Sequence, residues 1–140
     1  MRIANRFSIA VHILSLLETF EGEGHTSEWM AGSIGVNPVI VRNVTGMLRR
    51  SGLVNTQQGV AGAQIARPLK EVTLLDVFKA VETGEEIFSM HGNPNPACPV
   101  GSRIQSVLVA EFNAAQEALE IRLSKTTMET VVRSLKKKAA

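Results

Sequence analysis

The chain has 140 residues, of which 44% are hydrophobic and 20% charged. These values are typical of one folded domain, and they exclude a disordered or collagen-like chain. The formal net charge is only +2, so it does not by itself indicate nucleic-acid binding. The single cysteine, Cys98, excludes an intramolecular disulfide. Because the N-terminus has no apolar signal core and the apolar runs are too short to cross a bilayer, we expect a cytoplasmic protein with no membrane segment.

Two helices are predicted near the N-terminus. Apolar residues recur at helical spacing over 6–20, and Gly22 and Gly24 are expected to end this first helix. Thr26 is a good N-cap for a short second helix that stops at Gly35. Trp29, in the second helix, is expected to lie in the core.

A third helix is predicted to begin with Asn37 as N-cap and to run to about Ser51. Two short helices joined by a tight glycine-containing turn, with basic residues on the second, are typical of a helix-turn-helix. The spacing predicts a buried aliphatic face formed by Ile40, Val44, Met47 and Leu48. The opposite face is expected to carry Val39, Arg42, Gly46, Arg49 and Arg50. A glycine in mid-helix indicates close approach of either DNA or a neighbouring helix.

The segment after the third helix predicts a small β-wing. Residues 53–55 and 64–66 have the composition of two short strands, and Gly59 and Gly62 lie in the turn between them. A fourth helix is expected to follow Thr73, whose hydroxyl can cap its first turn.

The C-terminal part predicts a loop and a long helix. Residues 85–101 are too rich in glycine and proline for regular structure, whereas 102–125 contain neither residue. An apolar stripe on this helix, expected to pack against a second copy of the chain, is formed by Ile104, Leu108, Phe112, Ala115, Leu119 and Leu123. A last helix is predicted after Thr126, ending in the lysines at 136–138. The fold class is therefore mainly α with a small β-wing.

This pattern predicts three parts of the chain. Residues 1–83 form a winged helix-turn-helix DNA-binding domain. Residues 84–101 form a sensor-type loop. Residues 102–140 form the dimerisation helix and the C-terminal helix.

The charge pattern indicates DNA binding. Between Glu28 and Glu71 there is no acidic residue, while five basic residues fall in this interval. Arginines on the open face of the third helix are suited to guanine edges and to phosphates in the major groove. For contacts to bases we expect Val39, Arg42 and Asn43, and for contacts to phosphates Arg49 and Arg50. In the wing, the candidate contacts are Gln57, Gln58 and Arg67.

Four stretches of sequence resemble the Rrf2 family of bacterial transcriptional regulators. They are 36–42, 48–54 (LRRSGLV), 59–63 (GVAGA) and 72–82. The resemblance covers nearly the whole chain. It implies a winged helix-turn-helix domain, a long dimerisation helix, and a homodimer that binds a palindromic operator in double-stranded DNA as a repressor.

The chain departs from that family in its cysteines. Members that bind an iron–sulfur cluster carry three closely spaced cysteines in the loop before the long helix, whereas here the loop holds Cys98 alone, with His91 as its only other soft ligand. One thiolate cannot hold the irons of a cluster, so no cofactor is expected. His12 and His25 are expected to be structural, and no metal-ligand spacing links them. The wing also carries Gly62-Ala63 where the family has a glycine pair.

Two interpretations of Cys98 remain open. It is either a small buried side chain where the loop enters the long helix, or a redox-sensing thiol favoured by the helix N-terminus. The effector is accordingly an oxidant or, if the thiol is inert, a small molecule or another protein.

Two other classes of function are weaker. No phosphate-binding glycine loop, Ser-His-Asp group or HExxH stretch is present, so we do not expect an enzyme with a catalytic site. A helical protein-interaction module without specific DNA binding would explain the long helix but not the acid-free basic segment.

Overall fold

The computed structural model describes residues 5–20, 25–60, 62–82 and 87–139. Over these ranges the chain is mainly helical, with one two-stranded antiparallel sheet. In chain order the elements are α1 (Arg6–Thr19), α2 (Ser27–Ile34), α3 (Pro38–Arg50), β1 (Val54–Thr56), β2 (Ala63–Ile65), a 3₁₀ turn (Leu69–Glu71), α4 (Leu74–Val81), α5 (Ile104–Ser124) and α6 (Met128–Ala139). The predicted fold class is confirmed.

The helix-turn-helix is built by local hydrogen bonds at the predicted positions. The Thr26 hydroxyl accepts from the Trp29 N–H at 3.1 Å, and the Asn37 side chain accepts from the Val39 N–H at 2.8 Å. Gly35 ends α2 with φ of +83°, a conformation that glycine adopts without strain. The predicted stop of the first helix at Gly22 and Gly24 lies outside the described residues.

The wing is a short hairpin whose strands pair from Val54–Ile65 to Thr56–Ala63. Gly59 and Gly62 both have positive φ, at +79° and +96°. A Cβ at position 62 would lie 3.2 Å from the backbone oxygen of His25. The wing therefore lies close against the segment that leads into α2.

The core lies between α1, α3 and α4, and α6 closes it. Met128 and Val132 of α6 are 0% and 4% exposed. The Met128 N–H donates to the Val72 oxygen at 2.7 Å, and the Leu74 N–H donates to the Thr126 oxygen at 2.8 Å. These bonds tie the α5–α6 junction to the start of α4, where Thr73 and Asp76 cap each other reciprocally.

The buried face of α3 is not quite the predicted one. Ile40 is 42% exposed, and Val41 takes its place in the core with Val44 and Leu48. Positions 41, 44 and 48 follow the i, i+3, i+7 spacing of one helix face, which leaves position 40 beside that face. The prediction that Trp29 lies in the core is also wrong, since it is 40% exposed and packs edge-on against Phe20.

Helix α5 lies mostly outside the core, and none of its residues is buried. The half-buried members of its predicted apolar stripe are Ile104, Leu108, Phe112, Leu119 and Leu123, whereas Ala115 is exposed. This side packs against α4 and the preceding loop: Phe112 stacks on Phe88 with ring centroids 5.0 Å apart, and Lys79 pairs with Glu120 at 3.7 Å. None of the helices described is both long and apolar enough to cross a membrane.

Candidate DNA-binding surface

All eight side chains predicted to contact DNA are exposed. Helix α3 carries five of them, and its N-terminal end presents Val39, which is 51% exposed. Gln57 and Gln58 follow β1 at the wing turn, and Arg67 follows β2. The helix and the wing thus place the predicted residues on two neighbouring projections of one domain.

A cleft of about 220 Å³ separates these projections. Its walls come from the start of α2, from α3 and from the wing. The lining residues are His25, Ser27, Met30, Arg42, Thr45, Gly46, Arg49, Thr56, Gly62 and Ala63. Of the predicted DNA-contacting residues, Arg42 and Arg49 line the cleft, and the others lie outside it. The cleft is therefore cationic and rich in hydroxyl groups, which suits a phosphate.

The two arginines of the cleft have different partners. The Arg49 Nη1 lies 3.5 Å from the Thr56 hydroxyl, so it reaches from α3 to the wing. The Arg42 Nη1 donates to the Glu28 carboxylate on α2 at 3.2 Å. Arg67 does not line the cleft and donates to the backbone oxygen of Glu71 at 3.3 Å.

The hydroxyl of Thr45 is buried and has no hydrogen-bond partner among the residues described. A buried hydroxyl without a partner lowers stability, because folding removes its hydrogen bonds to water and does not replace them. Thr45 was not among the predicted site residues. The signal was nevertheless present, since position 45 lies three residues after Arg42 and four before Arg49, on the same helix face.

The mid-helix glycine of α3 is open toward the cleft. The nearest atom to a Cβ built at Gly46 is the Arg50 Nη1, at 3.4 Å. In the part of the chain that the structure describes, no neighbouring helix crowds this position. Of the two explanations that the sequence left open, close approach of a neighbouring helix is therefore excluded within those residues.

Comparison with known proteins agrees with this geometry. The Rrf2 family, described as "Iron-dependent Transcriptional regulator", matches residues 3–134. The chain belongs to the Rrf2 family. YwnA of Bacillus subtilis (strain 168), named as an HTH-type transcriptional regulator, is 38% identical over 133 residues, which cover 95% of this chain and 98% of YwnA.

Solved structures give the same result. A crystal structure described as that of a DNA-binding protein has 33% identity and a TM-score of 0.74, covering 90% of this chain and 97% of that one. The oxidised form of Staphylococcus aureus CymR has 21% identity and a TM-score of 0.65, covering 94% and 96% of the two chains, and supports the fold alone. This Rrf2 protein is thus a DNA-binding transcriptional regulator of winged-helix fold and not an enzyme.

The iron named in the family description does not fit the ligands of this member. An iron–sulfur cluster needs several thiolates, and this chain has one cysteine. Within the described ranges, no group of three or more His, Cys, Asp or Glu side chains could hold a metal ion.

Cys98 lies in the loop before α5 and is partly exposed. Hydrogen bonds from the backbone N–H groups of Gly101 and Val100 hold the pKa of its thiol below the usual value. The turn is tight, because a Cβ at Gly101 would lie 2.5 Å from the Asn95 backbone oxygen. Cys98 is therefore not the fully buried side chain of one interpretation.

Proposed function

We propose that this Rrf2 regulator is a repressor that binds a palindromic operator in double-stranded DNA as a homodimer. Helix α3 enters the major groove and the wing enters the adjacent minor groove. The observation that carries this proposal is the cationic cleft between them. The two grooves of DNA are separated by one sugar–phosphate backbone, so a helix in one groove and a wing in the next leave that backbone in the cleft.

The proposed contacts follow from this docking. Val39, Arg42 and Asn43 lie toward the N-terminal end of α3 and read base edges, as recognition helices commonly do. Arg49 and Arg50 lie in its last turn and contact phosphates. Gln57, Gln58 and Arg67 contact DNA from the wing side.

The DNA proposal is tested by selecting bound fragments from the source genome and titrating them at two salt concentrations. Contacts to phosphates predict a steep fall of affinity with salt, together with a clear preference for selected over random fragments. A protein-interaction module would enrich no common sequence. That result would overturn the proposal.

The homodimer is proposed to form along the exposed side of α5. This helix has 21 residues and is therefore about 31 Å long. Its outer face carries small and aliphatic side chains at spacings of three and four, namely Val107, Ala110, Ala114, Ala118 and Ile121, all of them exposed. Alanines let two helices approach closely, and a two-fold axis through the seam matches a palindromic operator.

This seam differs from the stripe expected from sequence. Leu108 and Leu119 are half-buried against their own protomer, so aspartates there would damage the protomer as well as any dimer. Val107→Asp combined with Ile121→Asp changes only exposed positions, which are 58% and 49% accessible. We expect a dimer for the wild type and a monomer for this variant in sedimentation at micromolar concentration.

Chains with the Val109→Asp substitution provide the control for this seam, because Val109 is a 46% exposed valine on a different side of α5 and the substitution also adds a carboxylate. They should remain dimeric. A wild-type monomer at micromolar concentration, or dissociation of the control, would contradict the proposed seam.

The effector is proposed to act through the loop before α5. Oxidation of Cys98 can give a sulfenic acid, a mixed disulfide or a bridge between subunits, and each adds bulk or polarity beside α5. The alternative is that Cys98 is inert and that the signal is a small molecule or another protein. Comparing operator binding by wild type and Cys98→Ser, with and without peroxide, separates the two. A bacterial regulator of this kind works in the cytoplasm, where its operator lies.

We propose that three parts of the chain have separate roles. Residues 1–83 bind DNA, residues 84–101 sense the effector, and residues 102–140 form the dimerisation helix and the C-terminal helix. Residues 84–86 are not among those that the structure describes. Within the last part, α5 forms the seam while α6 packs into the core of the DNA-binding part.

A further inference from the structure

We propose that Glu28 is a positioning residue that restrains Arg42 and so raises the specificity of DNA recognition at the expense of general affinity. This inference rests on the proposed docking of α3 in the major groove. Glu28 is not a DNA-contacting residue in it. It acts through Arg42, by limiting where the guanidinium can go.

The contact joins the two helices of the helix-turn-helix. Glu28 lies in the first turn of α2, and its Oε1 accepts from the Arg42 Nη1 on α3 at 3.2 Å. Both side chains are largely exposed, at 69% for Glu28 and 53% for Arg42. The pair is therefore not needed to hold the core, since exposed ion pairs contribute little to stability.

The position of the carboxylate is electrostatically unfavourable for a surface that binds a polyanion. Glu28 is the last acidic residue before Glu71, and its partner Arg42 lines the cationic cleft with Arg49. A carboxylate beside the proposed backbone path repels phosphates, and this repulsion is the same for every DNA sequence. We therefore expect it to lower affinity for all DNA, and the side chain that it contacts, Arg42, is the means by which it acts on specificity.

The chemistry of arginine explains that role. A guanidinium has five N–H donors on a long flexible stem, and phosphates attract it without regard to sequence. With one Nη1 donor held by Glu28, the remaining donors still present an edge for a base. Because Glu28 holds one of these donors, Arg42 lines the cleft but cannot direct all of its donors to a phosphate there. An unrestrained Arg42 gains phosphate contacts on any DNA and loses part of its preference for one base pair.

The test compares Glu28→Gln with wild type on the selected operator and on random DNA at two salt concentrations. We expect random DNA to bind several-fold more tightly and the ratio of operator to random affinity to fall about tenfold. The slope of log K against log salt for random DNA should steepen by about one, because Arg42 gains a phosphate.

Glu71→Gln is the matched control. It removes the same charge from an exposed glutamate on the 3₁₀ turn. Glu71 contacts Arg67 through its backbone oxygen, which the substitution keeps, and no hydrogen bond or ion pair of the described residues joins its side chain to Arg42. It should leave the ratio of operator to random affinity unchanged. A fall of the ratio in both variants would show that only net charge matters, and would overturn the role of Glu28.

A double-substitution cycle separates this inference from the proposed function. In an Arg42→Ala background, Glu28→Gln should no longer change the ratio, because the residue it restrains is absent. An equal change in both backgrounds, or no change in either, overturns the inference while operator binding by wild type still stands. Failure of wild type to prefer any selected fragment overturns the proposed function instead.

Discussion

The DNA-binding part of the chain, residues 1–83, and helix α5 differ in the kind of chemical group that has no partner within the protomer. The DNA-binding part buries Ile13, Leu14 and Leu48 completely, yet it leaves the Thr45 hydroxyl without a hydrogen-bond partner and presents arginines to solvent. Helix α5 buries no residue and leaves an apolar face open. Polar groups without partners call for a polar ligand, and uncovered apolar surface calls for another protein. One chain thus carries two surfaces suited to two chemically different partners.

The largest effect is expected from comparing an isoleucine-to-alanine substitution in the DNA-binding part with the same substitution in α5. Ile13 is 0% exposed and Ile121 is 49% exposed. Ile13→Ala should lower the free energy of unfolding by about 2–5 kcal/mol at any protein concentration, because it leaves a cavity in the core. Ile121→Ala should change it by less than about 0.5 kcal/mol in dilute protein, and by more as dimers form. Urea unfolding at two concentrations measures both. Equal losses of unfolding free energy that do not depend on protein concentration would contradict the distinction between the DNA-binding part and α5.

The next effect separates two arginines within the polar surface. Arg42→Ala should weaken operator binding by about 1–3 kcal/mol and relax the base preference, because Arg42 is proposed to read a base. Arg49→Ala should weaken binding to all sequences alike and reduce the salt slope by about one. Competition assays with operator and random DNA distinguish these outcomes. If both variants lose the same affinity on both DNAs, the assigned roles are wrong.

A smaller effect is expected at Thr45, where one substitution should raise the stability of the protein and lower its affinity for DNA. Thr45→Val keeps the branched shape and removes the hydroxyl that has no partner, so the free protein should become more stable by about 1 kcal/mol. Operator binding should weaken by several-fold, because we expect the hydroxyl to bond a backbone phosphate in the complex. Thermal unfolding and DNA titration are measured on the same sample. Higher stability with unchanged DNA affinity would mean that the hydroxyl serves no ligand.

The smallest effect concerns the Cys98 thiol, which lies in the loop before α5. Because the pKa of Cys98 is lowered, a larger fraction is thiolate at neutral pH than in an unfolded chain, and alkylation should be faster. The rate should rise with pH to a plateau whose midpoint lies below that of the unfolded protein. Gly101→Ala, which disturbs the turn that supplies the N–H donors, should move the midpoint upward. An identical midpoint in folded and unfolded protein would contradict the assignment.

Local signals predicted the helix ends well. Thr26, Gly35 and Asn37 act through bonds to residues within a few positions, so their neighbours in sequence determine their structure. The eight exposed DNA candidates follow from the same helix and wing pattern, although their contacts with DNA stay a prediction. The capping of α4 by Thr73 was predicted for the same reason.

Features that depend on distant packing were predicted less well. Three apolar residues, Val39, Ile40 and Val41, follow one another on α3, and Val44 and Leu48 fit either phase of the helix. Only the packing of α1 and α4 decides that Val41 points inward. The pairing of Glu28 with Arg42 spans 14 residues and depends on the angle between α2 and α3, which no periodicity gives.

The backbone bonds that join residues 126 and 128 to the start of α4 make the end of α5 a fixed pivot. With the pivot at one end, α5 is a lever of about 31 Å. A tilt of about 5° at the pivot moves the far end by nearly 3 Å, on the geometry of a straight helix. Two such levers joined at a seam would add their displacements. An event in the loop at the far end would then alter the spacing of the two α3 helices without disturbing the core that holds each of them.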